Sequence, residues 1–375
     1  MTVERVDCVP GPTAVYAGRG AVARLPAVLR DLAATRVLVV HGTTSYDRCG
    51  AAPVVGSLPR WWPTAHYAAA RPNPTVELVA AGLAYAREVA PDTVVGIGGG
   101  SALDLAKAIA VLSTQDGEPA AYLAGRRELD GGRHRLVLVP TTCGSGSEVT
   151  RFATVYSGHE KRSLDHPSLY ADVALVDPAL SASVPPEPAA AAGADALAQA
   201  VESWWAVAGT PTSRDLARRA VGLLAPALGG GPGGDLALGA TLAGAAIDLT
   251  RTTAAHALSY PLTARLGIPH GLAVALHLRW LLDHVAGVTA DDCDHPDGPE
   301  AVRAIVGDLY ATTRPLLDQL LRAGGQPGGL AGLRLEPGGW HGIWARALDS
   351  VRARNTPRRV SAEDVRRAAS GGGDG

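Results

Sequence analysis

Residues 93–112 read TVVGIGGGSALDLAKAIAVL, and this stretch decides the fold. Its opening, TVVGIG, is aliphatic, β-branched or glycine, the composition of a strand buried on both faces. Gly98, Gly99 and Gly100 end that run, and SALDLAKAIAVL (101–112) follows with apolar residues at helical spacing. A strand that passes through glycines straight into a helix is half of a parallel βαβ unit. Glycines at such a turn let the backbone approach a phosphate, with free N–H groups and the helix dipole facing the anion. Such turns also occur without any ligand, and the spacing is not that of the generic Gly-x-Gly-x-x-Gly fingerprint.

Moving outward, RVLVVHG (36–42), RLVLVPTT (135–142) and ALVDP (174–178) read as further buried strands, and TVELVAAGLAYAREVA (75–90) as a helix. Strands alternating with helices predict a parallel sheet with crossover connections. From about Pro185 the pattern changes to long Ala/Leu-rich segments at 187–207, 212–227, 235–265, 271–285, 299–323 and 340–353, none of them strand-like. The expectation is an α/β domain at 1–184, an all-α domain at 185–369 and a disordered tail, SGGGDG, at 370–375. A 375-residue chain is of the length two domains require.

Composition excludes several functions. With 34 basic against 36 acidic residues the net charge is −2, no footprint for nucleic acid and no attraction to an anionic membrane surface. The start, MTVERVDCVPGP, has no apolar core of a signal peptide, and no run of ~18 apolar residues occurs anywhere. Cys8, Cys49, Cys143 and Cys293 are scattered with no metal-ligand spacing, so a reduced, cytoplasmic protein is expected. Only two lysines occur, Lys107 and Lys161, which draws attention to what surrounds them.

A second glycine-rich loop, PTTCGSGSE (140–148), follows the strand RLVLVPTT. Alone it is either a wrap for a ribose or pyrophosphate or an ordinary connection. Together, GGGSALDLAKAIA and PTTCGSGSEVT resemble the iron-containing alcohol dehydrogenase family, and LVDPAL (175–180), GADALAQAVES (193–203), HALSYPL (256–262) and PHG (269–271) extend the likeness in order. The resemblance implies a dehydroquinate synthase-like fold: a dinucleotide-binding domain, a helical domain, and NADPH or NADH with an aldehyde in the cleft between. It implies cofactor contacts from Gly99, Gly100, Ser101, Thr141 and Thr142, with Asp104, Lys107 and Ser147 in the same motifs. Lys161 matches a position near the ribose and Leu180 one near the adenine. Gly42 and Thr43 follow the strand VLVVHG, where members strict for NAD carry an Asp. An Asp there binds the 2′-hydroxyl and repels a 2′-phosphate, so its absence admits NADPH. A homodimer is also implied.

The family holds a divalent metal through one Asp and three His. Asp195, His256 and His270 match the Asp and two of the histidines, but Gln199 stands where the third is expected, four residues after Asp195. An Asp with two His suits Fe2+ and can hold Zn2+. Three readings stay open: Gln199 is a fourth ligand, water replaces the histidine, or the site has lost metal. Tyr260 occupies a position where many members carry a proton-relaying His, and is either a proton donor or a pocket wall.

The segments around Gln199, with Arg251-Thr252-Thr253 just before His256 and Arg151 just after GSGSEVT, are more similar to the phosphonoacetaldehyde-reducing subgroup than to general alcohol dehydrogenases. That likeness implies reduction of phosphonoacetaldehyde to 2-hydroxyethylphosphonate. Arginine pairs bidentately with phosphate-like oxygens, so Arg151, Arg251, Thr252 and Thr253 are candidate substrate contacts. The alternatives are a general small-aldehyde reductase, a dehydroquinate synthase-like cyclase and a non-catalytic nucleotide-binding protein.

Overall fold

A computed structural model describes residues 3–158, 160–335 and 337–371. The chain divides between Val184 and Pro185 into two compact units. The first unit contains strands β1 (Glu4–Arg5), β2 (Ala14–Ala17), β3 (Val37–His41), β4 (Thr64–Tyr67), β5 (Thr93–Gly98), β6 (Arg135–Pro140), β7 (Phe152–Ser157), β8 (Glu160–Asp165) and β9 (Val173–Val176). Its helices are α1 (Leu25–Asp31), α2 (Thr43–Cys49), α3 (Ala52–Val55), α4 (Val76–Val89), α5 (Gly100–Leu112) and α6 (Pro119–Leu123).

Seven strands form one sheet in the order β1-β2-β9-β6-β5-β3-β4, parallel except for the β1–β2 pair. The aliphatic runs noted above are its centre: every residue of β3, β5 and β9 is buried. Helical side chains cover both faces, with Leu103, Ile109 and Leu83 in one core cluster and Leu25, Leu29 and Leu58 in the other. β3 leads outward to β4 at one edge, while β5 leads through β6 toward β9 and the other edge. Neighbouring strands whose connections depart in opposite directions define a topological switch point, the place where open α/β sheets bind ligands beyond the carboxyl ends of their strands. Here it lies between β3 and β5, at Gly42–Thr43 and Gly98–Ser101.

The second unit contains α7 (Pro186–Trp205), α8 (Pro211–Gly229), α9 (Leu236–Thr250), α10 (Ala254–Leu266), α11 (His270–Ala286), α12 (Gly298–Ala323), α13 (Pro337–Leu348) and α14 (Ala362–Ala369), and no strand among the described residues. α7 is the hub, packed against α8, α9, α11 and α12. The segment 235–265, read from sequence as one helical stretch, is two helices. α9 ends where Arg251 takes φ 67° and ψ 175°, and α10 begins after Thr253. The β7–β8 hairpin, the edge strand β4 and α14 were not anticipated. The tail expected to be disordered lies, from residue 372, outside the described residues. No helix among the described residues is long and apolar enough to cross a membrane.

Candidate active site

In the first unit the two glycine-rich loops pack against each other. A Cβ on Gly99 would lie 3.1 Å from Thr142 Oγ1, and one on Gly100 would lie 2.5 Å from Ser145 Oγ. Thr141 N donates to Gly98 O across 2.9 Å. No side chain caps α5 at Gly99, so the first N–H groups of a 13-residue helix face the switch point. Ser101 Oγ accepts from Asn73 N at 3.3 Å, which brings the segment after β4 to the same place.

Asp104, Lys107 and Ser147 fasten these loops from behind. Asp104 accepts from Ser147 Oγ at 2.5 Å and Thr154 N at 2.9 Å. Burial pushes its carboxyl up, against the pull of Lys107, Ser147, Thr154 and Lys161. Lys107 is fully buried, and its Nζ donates to Thr150 O, Thr150 Oγ1 and Phe152 O at 2.7, 3.1 and 2.8 Å. Lys107 thus has a structural role: it holds the entry to the β7–β8 hairpin. Lys161 lies in that hairpin opposite Tyr156. Leu180 is 3% exposed and packs in the core cluster of Leu25 and Leu29.

Around Gly42 the structure adds three residues that sequence reasoning missed. His41 stacks on Tyr46 with ring centroids 3.9 Å apart, and its Nε2 lies 3.0 Å from His66 Nδ1. Burial lowers both histidines' pKa values. A Cβ at Gly42 would stand 2.8 Å from the carbonyl oxygen of Ala70.

In the second unit Asp195, Gln199 and Glu202 lie on one face of α7, at i, i+4 and i+7. His256 is in the first turn of α10 and His270 opens α11. Ligand-capable atoms of Asp195, His256 and His270 all lie within 4.8 Å of one another. His256 Nδ1 is bonded to Glu202 Oε2, while its Nε2 faces Asp195 Oδ1 at 3.2 Å. His270 Nδ1 lies 3.4 Å from Ser259 Oγ. One carboxylate and two imidazoles gathered in a largely buried cluster are the donor set a divalent transition metal requires, so these residues fit the metal. Gln199 is 4% exposed on the same helix face.

Burial disfavours charge on His256, but Glu202 and Asp195 outweigh it and the ring is pushed up to about 10. Glu202 is fully buried. Nothing in a single glutamate marks it in the sequence, although its place one helical face along from Asp195 could have.

Tyr260 lies flat against His270, with centroids 5.6 Å apart and planes at 19°, and the Arg352 guanidinium stands 5.7 Å from its ring centre. Both donors of Thr253 go to Glu202 Oε1, the N–H at 3.1 Å and the hydroxyl at 2.5 Å, which makes Thr253 a support for the site. Thr252 Oγ1 is buried with no hydrogen-bond partner among the described residues. Asn355 Nδ2 fixes the carbonyls of Thr250 and Thr252 at 2.9 and 3.2 Å, so the turn that carries Arg251 is pinned on both sides. In the first unit, Arg151 Nε is 3.2 Å from Asp165.

A family model described as iron-containing alcohol dehydrogenase matches residues 12–178, and one for the C-terminal part of the same family matches residues 189–368. A long-chain-alcohol dehydrogenase of Geobacillus thermodenitrificans is 37% identical over 73% of this chain and 72% of its own. A phosphonoacetaldehyde reductase of Streptomyces viridochromogenes is 37% identical over 63% of this chain and 64% of its own. Among solved structures, a sulfoacetaldehyde reductase of Bifidobacterium kashiwanohense in complex with NAD+ superposes with a TM-score of 0.82 at 25% identity, covering 99% of both chains.

Proposed function

The chain belongs to the iron-containing alcohol dehydrogenase family, and from that premise we propose that it reduces aldehydes bearing a tetrahedral anionic headgroup, phosphonoacetaldehyde above all, to their alcohols with NADPH or NADH. The observation that carries this reading is the turn before His256. Arg251 is held at φ 67° and ψ 175°, a region that only glycine enters freely and that costs another residue roughly 1–3 kcal/mol. Thr252 beside it keeps a buried hydroxyl without a partner among the described residues. The N–H groups of Thr253, Ala254 and His256 at the start of α10 are already taken by Glu202 and Thr356, which leaves most of the binding of an anion at this turn to side chains. A guanidinium and a hydroxyl suit phosphonate oxygens, which accept several charge-assisted hydrogen bonds. Two relatives named for their substrates, phosphonoacetaldehyde and sulfoacetaldehyde, share that chemistry: an aldehyde one carbon from an oxyanion.

When bound, the divalent metal supplies Lewis-acid polarisation of the carbonyl oxygen and the dihydronicotinamide supplies the hydride. Asp195, His256 and His270 hold the metal, with Gln199 as the neighbouring amide. Arg251 and Thr252 orient the headgroup, so the carbonyl is presented in one pose. Tyr260, stacked on His270, is the side chain that donates a proton to the alkoxide.

General reduction of neutral aldehydes is the rival reading, favoured by the likeness to the long-chain-alcohol dehydrogenase. Oxidation of NADPH and NADH by enzyme loaded with Zn2+ or Fe2+ and by chelator-stripped enzyme, over a panel of charged and neutral aldehydes, tests both. Turnover of an anionic aldehyde only with metal present is the expected result. Full rate in stripped enzyme removes the metal from the mechanism, and no turnover of any aldehyde removes the function.

A further inference from the structure

We propose that Glu202 is the positioning residue that sets how tightly this site holds its divalent metal, because one of its carboxylate oxygens fixes the tautomer of His256 and the other fixes the turn from which His256 is presented. The inference rests on the reading of Asp195, His256 and His270 as metal ligands.

Glu202 is 0% exposed, and burying a carboxylate is costly unless its oxygens are satisfied. Here every partner among the described residues is a donor. Oε1 accepts from Thr253 N at 3.1 Å, Thr253 Oγ1 at 2.5 Å and His256 N at 3.3 Å. Oε2 accepts from His256 Nδ1. A ring whose Nδ1–H is committed to a carboxylate must offer Nε2 to anything else, and Nε2 is the atom 3.2 Å from Asp195 Oδ1. The backbone bonds do the same for the ring's pivot. They hold the first turn of α10, which Thr356 Oγ1 steadies further by accepting from Ala254 N at 3.0 Å.

This arrangement matters more here than with a full imidazole set. Position 199 offers a neutral amide, a weaker donor than imidazole. The negative charge that attracts a dication comes from two carboxylates, Asp195 directly and Glu202 through His256.

Glutamine is nearly isosteric but cannot serve. Its amide nitrogen is a donor. Turned toward Thr253 it opposes the N–H and the hydroxyl. Turned toward His256 it forces the proton onto Nε2, the nitrogen a metal needs.

The test is the Zn2+ affinity of the full chain, measured by competition with a chelator, together with the visible spectrum of the Co2+-loaded protein. Glu202→Gln should weaken Zn2+ about 10- to 100-fold and shift the Co2+ bands. Thr253→Val keeps the backbone bond to Glu202 but removes the hydroxyl, with its bond to Glu202 and the long one it accepts from Trp205 Nε1 at 3.4 Å, and should weaken Zn2+ by about two- to tenfold. If the Gln variant does not fold, the Val variant alone carries the test. Wild-type affinity and an unchanged Co2+ spectrum in either variant would overturn the inference. Wild-type chain that takes up no Zn2+ overturns the metal reading beneath it.

Discussion

Gly271 and Ala191 stand so close that a Cβ on the glycine would fall 1.9 Å from the alanine carbonyl oxygen, with Asp195 N at 2.9 Å. Gly271 follows His270 in the first turn of α11, and Ala191 is one turn before Asp195 on α7. The two helices that carry Asp195 and His270 can meet only because residue 271 has no side chain. Gly271→Ala must push them apart, at the ~1–3 kcal/mol typical of overpacking. Zn2+ affinity should fall more than about tenfold and the melting temperature should drop. Wild-type metal affinity in this variant would show that the close approach does not set the ligand geometry.

The charge on His256 predicts a proton-coupled metal site. Burial opposes protonation, but Glu202 and Asp195 carry the group up to about 10 in chain stripped of metal. A metal must displace that proton, so Zn2+ affinity should fall roughly tenfold for each unit of pH below that value. A histidine raised above its ordinary 6.5 contributes stability that is fully present below 6.5 and lost as pH rises through about 10. Stripped chain should therefore lose melting temperature over that window. Zn2+ titrations at several pH values check the first part, and a pH-independent affinity would contradict it.

Gly42 predicts the cofactor preference. A side chain there would meet Ala70 O at 2.8 Å, so the position cannot accept a carboxylate that repels a 2′-phosphate. NADPH should be used at least as well as NADH, measured as kcat/KM for each. A preference for NADH beyond about tenfold, or ~1.4 kcal/mol, would show that discrimination lies elsewhere.

Much of this fold is legible in the chain because its central strands are uninterrupted aliphatic runs. β5 and β6 could be read within a residue or two of their ends. What was missed was held by tertiary contacts or carried polar residues. β4, TAHY, is an edge strand with partly exposed side chains, and β7–β8 is a separate hairpin rich in charge. The break at Arg251 has neither glycine nor proline to announce it. Asn355 and Glu202, about 100 and 50 residues away in sequence, impose it. The cluster of Asp195, His256 and His270 was visible as a motif, but Glu202 was not, since one glutamate in a helix looks like any solvated residue.

Arg251 predicts a separation of stability from activity. Arg251→Gly removes the strain of a positive φ, worth roughly 1–3 kcal/mol, against about 0.5–1 kcal/mol of added unfolded-state entropy. The melting temperature should hold or rise. Losing one charge-assisted contact should cost about 1.5–3 kcal/mol in kcat/KM for phosphonoacetaldehyde, and little for propionaldehyde. Equal losses on both aldehydes would remove the arginine from headgroup binding.

The most direct test of the account is the ratio of kcat/KM for phosphonoacetaldehyde to that for propionaldehyde in the metal-loaded wild-type enzyme, followed as NADPH oxidation. Two contacts to an anionic headgroup, each worth about 1.5–3 kcal/mol, predict a ratio of at least about a hundredfold in favour of the phosphonate. A ratio near one, or a preference for propionaldehyde, would contradict the proposal that this turn binds an anion and would leave a general aldehyde reductase.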